Sequence, residues 1–247
     1  MNSRWRTRIF FLAAIGFACL YFLGVKNLPP WGNYRGLYGQ MISAATVYER
    51  HATDAVNAVD YDYRGFDTLG EEFILFASVL GAMLLLRRPE RPETTTPPET
   101  GLSDAAKLAA AVAFAVLVIF GFYMTTHGQL TPGGGFQGGV ILASASMLVY
   151  IAENFSVFKR ITSHPAVEVL EALGAGFYVI IGLVPLVVAK PFLTNWLPLG
   201  KTGNVFSSGT IAAISASVGI EVTAGFLLLG YVYLEDIIAK TGEESRE

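Results

Sequence analysis

Six stretches of this chain are long and apolar enough to cross a lipid bilayer, and nothing else restricts its fold so severely. A hydrocarbon core of about 30 Å takes about 20 mostly apolar residues in a helix. The stretches lie near Ile9–Val25, Leu69–Leu86, Ala105–Thr125, Phe136–Ala152, Ala166–Ala189 and Ser208–Leu234. Hydrophobic residues make up 53% of the 247 and charged residues 15%, with a mean hydropathy of +0.48, outside the usual composition of a soluble domain. The expected fold is therefore all-α, a polytopic membrane protein with about six transmembrane helices. Two runs, Phe73–Leu86 and Val140–Ile151, reach across only if flanking residues join the helix. For the first, that draws Leu69, Gly70, Glu71 and Glu72 towards the membrane.

Arg4, Arg6 and Arg8 precede the first apolar run in the manner of a secretory leader. The run continues through Leu20–Leu23 without a small-x-small cleavage site, so it reads as a membrane span. Basic residues are retained on the cytoplasmic side. Placing the N-terminus inside puts eleven Lys and Arg on inner segments and six on outer ones, which predicts both termini cytoplasmic and a multi-pass location in the cell's inner (cytoplasmic) membrane. A lone cysteine, Cys19, excludes an internal disulfide or thiolate cluster. The histidines, His51, His127 and His164, lack metal-site spacing, and no metal or cofactor is expected.

Proline and threonine crowd Arg88–Thr100, a linker composition that separates a two-helix front part from a four-helix back part. The organisation expected is a front module over 1–88 with a long outer loop, a linker over 89–104, a four-helix domain over 105–236 and a charged tail over 237–247. Within the outer loop, Gln40–Val59 has helical character.

Between two apolar spans stands Pro132-Gly133-Gly134-Gly135-Phe136-Gln137-Gly138-Gly139. A phosphate loop would follow a strand and carry a Lys-Ser or Lys-Thr pair, and this turn does neither. It reads instead as the corner of a helical hairpin. Pro132 ends one helix, and Gly135 and Gly139, four apart, let the next approach a neighbour closely.

Acidic residues inside apolar helices mark the candidate ion pathway. Glu221 stands near the middle of the last span, where an acid costs about 2.5 to 3.5 kcal/mol on insertion scales, so it faces a partner or a hydrated path. A protonated Glu bonded to a neighbouring helix is the plainer alternative. Thr68-Leu69-Gly70-Glu71 fits a capping box, whereas Glu72 is left unexplained by it; with Asp67 these acids form either a capping cluster or a cation entry. Glu168 and Glu171 share a helix face at the start of the fifth span. The helix dipole accounts for Glu168, while Glu171 lies deeper. His127 reads first as a hydrogen-bonding residue and second as a proton-exchange group.

His127-Gly128-Gln129-Leu130-Thr131 and the glycine turn after it, with Ser208-Gly209-Thr210 and Val218-Gly219-Ile220-Glu221-Val222, resemble the MnhB-type subunit of the Mrp-type multisubunit sodium/proton antiporters. Asn57-Ala58-Val59 and Arg64-Gly65-Phe66-Asp67-Thr68-Leu69-Gly70-Glu71 resemble the C-terminal end of the large Mrp subunit, equivalent to a small membrane subunit of energy-converting hydrogenases. The resemblance spans roughly 45–87 and 103–236 and makes the chain look like a fusion of two adjacent subunits. It implies sodium/proton exchange driven by the proton gradient within a complex of antiporter-like partners, with the bilayer, sodium ions and protons as the other contacts and no catalysis by this chain alone. Membership of a redox-driven complex of the membrane-bound hydrogenase type is the other implication. Carried over by match are Asp67 and Glu71 from the first motif, and Pro132, Gly133, Gly134, Gly135, Gly138, Gly139 and Glu221 from the second. The family usually has an apolar residue where Glu72 stands.

Overall fold

Every expected span is a helix. The computed structural model describes residues 3–26, 28, 32, 36–86, 102–153 and 155–244, and most of the linker expected over 89–104 falls outside them. Residues 1–41 and 42–247 form two compact units. The first contains α1, Ser3–Lys26, whose apolar window is exposed along its whole length. After α2, Leu37–Arg50, the second unit continues with the short α3, Ala55–Ala58, and a single π turn, Val59–Tyr63. Its long helices are α4, Gly65–Leu86; α5, Asp104–Thr126; α6, Gly135–Ala152; α8, His164–Leu183; and α9, Thr210–Glu244, with the short α7, Phe155–Ile161, between α6 and α8. No strand occurs among the described residues. Six of the helices are long and apolar enough to cross a membrane, so the chain is a multi-pass membrane protein.

Local chemistry sets the helix ends. Ser103 caps α5, its Oγ accepting the Ala106 N–H at 3.3 Å. Pro165 stands in the first turn of α8, where a missing N–H costs nothing. The fifth span, expected to run to Ala189, leaves α-geometry at Leu183 and tightens into a 3-10 turn over Val184–Val188, which contains Pro185. α9 is capped from outside: Asn195 Oδ1 accepts the Thr210 N–H at 2.9 Å, while its Nδ2 donates to Asp62 Oδ2 and to the Ser208 carbonyl. The capping box read at Thr68 and Glu71 does not form. α4 begins three residues earlier, at Gly65, and Thr68 Oγ1 donates instead to the Asp60 carbonyl at 2.6 Å.

α9 is the axis of the bundle. It touches α4, α5, α6 and α8, and 67% of its apolar window is buried, against 33% or less for every other span. Two apolar layers surround it. One joins Tyr61, Leu69, Tyr178, Ile211, Ile214, Val218 and Val222, and the other joins Val79, Phe158, Val167, Leu227, Leu228 and Tyr231. A helix apolar on every side can be buried on every side, and the polar residues in its buried part, Ser215, Ser217 and Glu221, become core residues.

Candidate functional site: a line of buried carboxyls

On each of α4, α8 and α9 one glutamate falls between the two apolar layers. Glu72 follows Leu69 and precedes Val79; Glu171 lies between Val167 and Tyr178; Glu221 lies between Val218 and Ala224. Their exposures are 2%, 7% and 1%, so all three belong to the interior. Glu221 is the charged group that acts most strongly on Glu72, and Glu171 acts on Glu221 in turn. The order along the line is Glu72, Glu221, Glu171.

Two glycines make this proximity possible. A methyl group on Gly174 would lie 2.6 to 2.7 Å from the Glu221 backbone and Cβ, so α8 and α9 cross with almost no side chain between them. Reciprocally, a methyl group on Gly225 of α9 would meet Glu171 Oε1 at 3.6 Å and Val79 at 3.4 Å. Ser217 Oγ ties the crossing by donating to the Gly174 carbonyl at 2.7 Å. Positions 217, 221 and 225 are four apart and form one stripe on α9.

The carboxyl oxygens are not satisfied. Glu72 Oε2, Glu171 Oε1 and both Glu221 oxygens are buried with no other donor, and Glu72 and Glu221 can hydrogen-bond only to each other, which requires one of the two to carry a proton. Each such group costs about 1 to 3 kcal/mol, which a packed helix bundle tolerates only where the group has another use. No ion pair among the described residues reaches the three. Three carboxyls together in an apolar layer need protons or cations to neutralise them, a need that either shared protons or a passing ion would meet.

The remaining sequence candidates lie elsewhere. Asp67 and Glu71 point to the exposed side of α4, with Asp67 paired to Arg64. One residue further, Glu72 is turned inward by the roughly 100° step of the helix. Glu71 acts electrostatically on both Glu72 and Asp60. Half-buried Asp60 has its carboxyl pushed up from the ordinary range, first by burial and then by Glu71 and Asp54. His127 ends α5, its ring stacked on Tyr123 at 4.5 Å and its Nδ1 3.2 Å from Thr126 Oγ1, beside the glycine turn rather than in the line.

The glycine turn is a packing device. Gly134 has φ +137°, a backbone that side chains rarely adopt, and its N–H donates to the Met124 carbonyl at 3.1 Å, folding the turn back on α5. A methyl group on Gly135 would collide with the Ser215 carbonyl oxygen and lie 2.7 Å from Val218 Cβ; one on Gly139 would lie 2.8 Å from Val222 Cβ. On the neighbouring face, Gly138 leaves room for Thr125 Oγ1 and the Gly121 carbonyl of α5. Gly133 abuts the Met124 carbonyl, and Pro132 precedes it at the corner.

Sequence reasoning passed over Tyr61. Buried at 3% exposure, its hydroxyl accepts the Gly135 N–H at 3.2 Å, placing a phenol at the start of α6. Burial, and then Glu72, raises its pKa above the ordinary phenol value, so it stays an O–H. Its signal in the sequence was only a Tyr in a polar loop.

A polytopic helical bundle whose central helix carries an unpaired acid, flanked by acids from two neighbours, has the architecture of a component of a membrane ion-transport system. The chain belongs to the family of domains related to the MnhB subunit of Na+/H+ antiporter, whose sequence profile matches residues 105–228. A putative antiporter subunit of Staphylococcus aureus strain Newman, mnhB2, is 36% identical over 126 residues, 47% of this chain and 86% of that protein. An uncharacterized protein of Methanocaldococcus jannaschii is 28% identical over 214 residues, 78% of this chain and 81% of that one. Among solved structures, a chain of the membrane-bound sulfane sulfur reductase, an archaeal respiratory membrane complex, superposes with a TM-score of 0.71 at 31% identity, covering 93% of this chain and 98% of that one. A chain of the Mrp complex from a Dietzia species shares the fold with a TM-score of 0.66 at 22% identity, over 93% of this chain and 26% of that longer one.

Proposed function

We propose that this chain is a membrane component of a multisubunit cation/proton antiporter, exchanging sodium for protons under the proton gradient, and that Glu72, Glu221 and Glu171 are its protonatable line. The observation that carries this reading is the set of buried, unpaired carboxyl oxygens contributed by three different helices. In this reading Asp67 and Glu71, on the exposed face of α4, are where a cation enters, and His127 is a secondary exchange group beside the turn. Pro132 and the glycines from Gly133 to Gly139 hold α5, α6 and α9 together. Both termini face the cytoplasm, and the protein resides in the cytoplasmic membrane among the other proteins of a Mrp-type complex. The front module, 1–88, corresponds to the end of the large Mrp subunit, the segment 89–104 is a linker, 105–236 the MnhB-like part and 237–247 a charged end, of which the residues to Glu244 continue α9. The chain performs no catalysis alone.

Replacing Glu221 by Gln in the assembled complex and following sodium-driven proton movement in vesicles tests the reading. Loss of exchange with normal assembly is expected; wild-type exchange would remove the charge from the mechanism.

A second reading, a scaffold within a redox-driven ion-pumping complex, is favoured by the near end-to-end match to a chain of an archaeal respiratory membrane complex. Purifying the intact complex separates the two, since metal-cluster proteins among the partners would select the redox reading.

A further inference from the structure

The line of carboxyls must meet water at both ends. At the end away from Glu72, the first turn of α8 supplies two more groups. His164 Nδ1 lies 3.4 Å from Glu168 Oε1, four residues on, and Glu168 acts electrostatically on Glu171, three residues deeper on the same face. The two outer groups are open and the inner one is not: the side chains of His164 and Glu168 are 30% and 49% exposed, whereas Glu171 is 7% exposed with its Oε1 unpartnered. The imidazole is held in place. Its ring lies edge-on to Tyr231 of α9 at 5.2 Å, and the Tyr231 hydroxyl is hydrogen-bonded to Thr162 Oγ1 at 3.0 Å.

We propose that His164 and Glu168 form the proton port at the α8 end of the acidic line, an assignment that rests on the antiporter reading above. The Nε2 of His164 exchanges a proton with solvent, and the Nδ1 side passes one to Glu168. Glu168 hands it by carboxyl rotation or through one water to Glu171, which stands against Gly225 beside Glu221. Each transfer moves one proton and leaves His164 as its Nε2–H tautomer, which a ring flip or proton exchange through water resets before the next one. An imidazole suits the post because it both accepts and donates without a large change in driving force. Tyr231 is the ionisable group whose ring faces it, Glu235 of α9 acts on that tyrosine, and the basic pair Lys159 and Arg160 ends α7 just before in the chain.

The assembled complex in vesicles provides the test. H164A is expected to slow proton movement on the order of 100-fold or more with assembly intact. Added imidazole restores the rate, whereas pyrrole, a ring of the same size without a basic nitrogen, does not. A normal rate in H164A, or rescue by both rings or by neither, overturns the port. Should H164A fail to assemble, E168Q carries the same expected slowing, and full exchange by E168Q overturns the proposal. Two controls separate the levels: a wild-type complex without sodium-driven proton movement removes the antiporter reading itself, whereas a blocked E221Q beside a fully active H164A removes only the port.

Discussion

α9 makes two seams that differ in one respect. Against α6 and the end of α5 it presents Ser215, Val218, Gly219 and Val222, and polar atoms there are paired: Ser215 Oγ donates to the Thr125 carbonyl of α5 at 2.9 Å and Thr223 Oγ1 reaches the Gly139 carbonyl of α6 at 3.3 Å. Against α8 and α4 it presents Ser217, Glu221 and Gly225, and there the carboxyl oxygens are left over. Both seams use glycine to bring backbones together. The first turns that closeness into packing, whereas the second uses it to crowd acids that packing alone would exclude. A small-residue seam with every hydrogen bond made is a joint, and one that leaves carboxyls unpaired is a place where something else must bind.

The joint breaks with the largest effect. Gly135→Leu should open the α6–α9 seam, since even a methyl group meets the backbone at Ser215 and Gly219. Overpacking costs about 1 to 3 kcal/mol for extra methylenes that can be accommodated, and more where backbone must move. Thermal unfolding in detergent and recovery of the assembled complex should both fall, with transport falling only as far as assembly does.

At the acidic seam the signs should separate. Glu72→Leu removes a buried carboxyl whose only polar neighbour is another acid, so stability should hold or rise, while proton movement in vesicles drops on the order of 100-fold or more. A variant that is both less stable and fully active would make Glu72 a packing residue and merge the two seams. Tyr178→Phe tests the frame between them: its hydroxyl donates to the Gly65 carbonyl at 2.7 Å, and losing that buried bond should cost about 1 to 2 kcal/mol of stability.

The smallest effect concerns the loop above both seams. The Asp60 carboxyl has its pKa raised on folding, mainly by burial. A carboxyl shifted upward stabilises the fold while protonated, and that contribution is lost as pH rises through its folded pKa. Asp60→Asn should therefore flatten the pH dependence of thermal unfolding on the acid side. An unchanged profile would place the loop's sensitivity elsewhere, in Asp54, whose carboxyl is likewise pushed up by burial.

Much of the joint was legible before the fold. Span positions follow from hydropathy, and Gly135 and Gly139 announce close approach because only a missing side chain leaves room for a backbone. The acidic line was half legible. Glu221 and Glu171 stand out because a charge inside a long apolar run has no local explanation. Glu71 and Glu72 could not be told apart, and the expected capping box favoured the wrong local picture, since starting α4 at Gly65 makes Thr68 an interior residue.

Spans, family and the identity of the acids could be read before any folding, because these depend on the order of residues along the chain. Tertiary structure alone decided that Glu72 faces inward and Glu71 outward, that Glu72, Glu221 and Glu171 lie in one row, and that His164 and Glu168 stand at its end. Adjacent helical residues differ by a rotation whose outcome depends on which neighbours pack where, and that choice is made only when α4 and α8 close around α9.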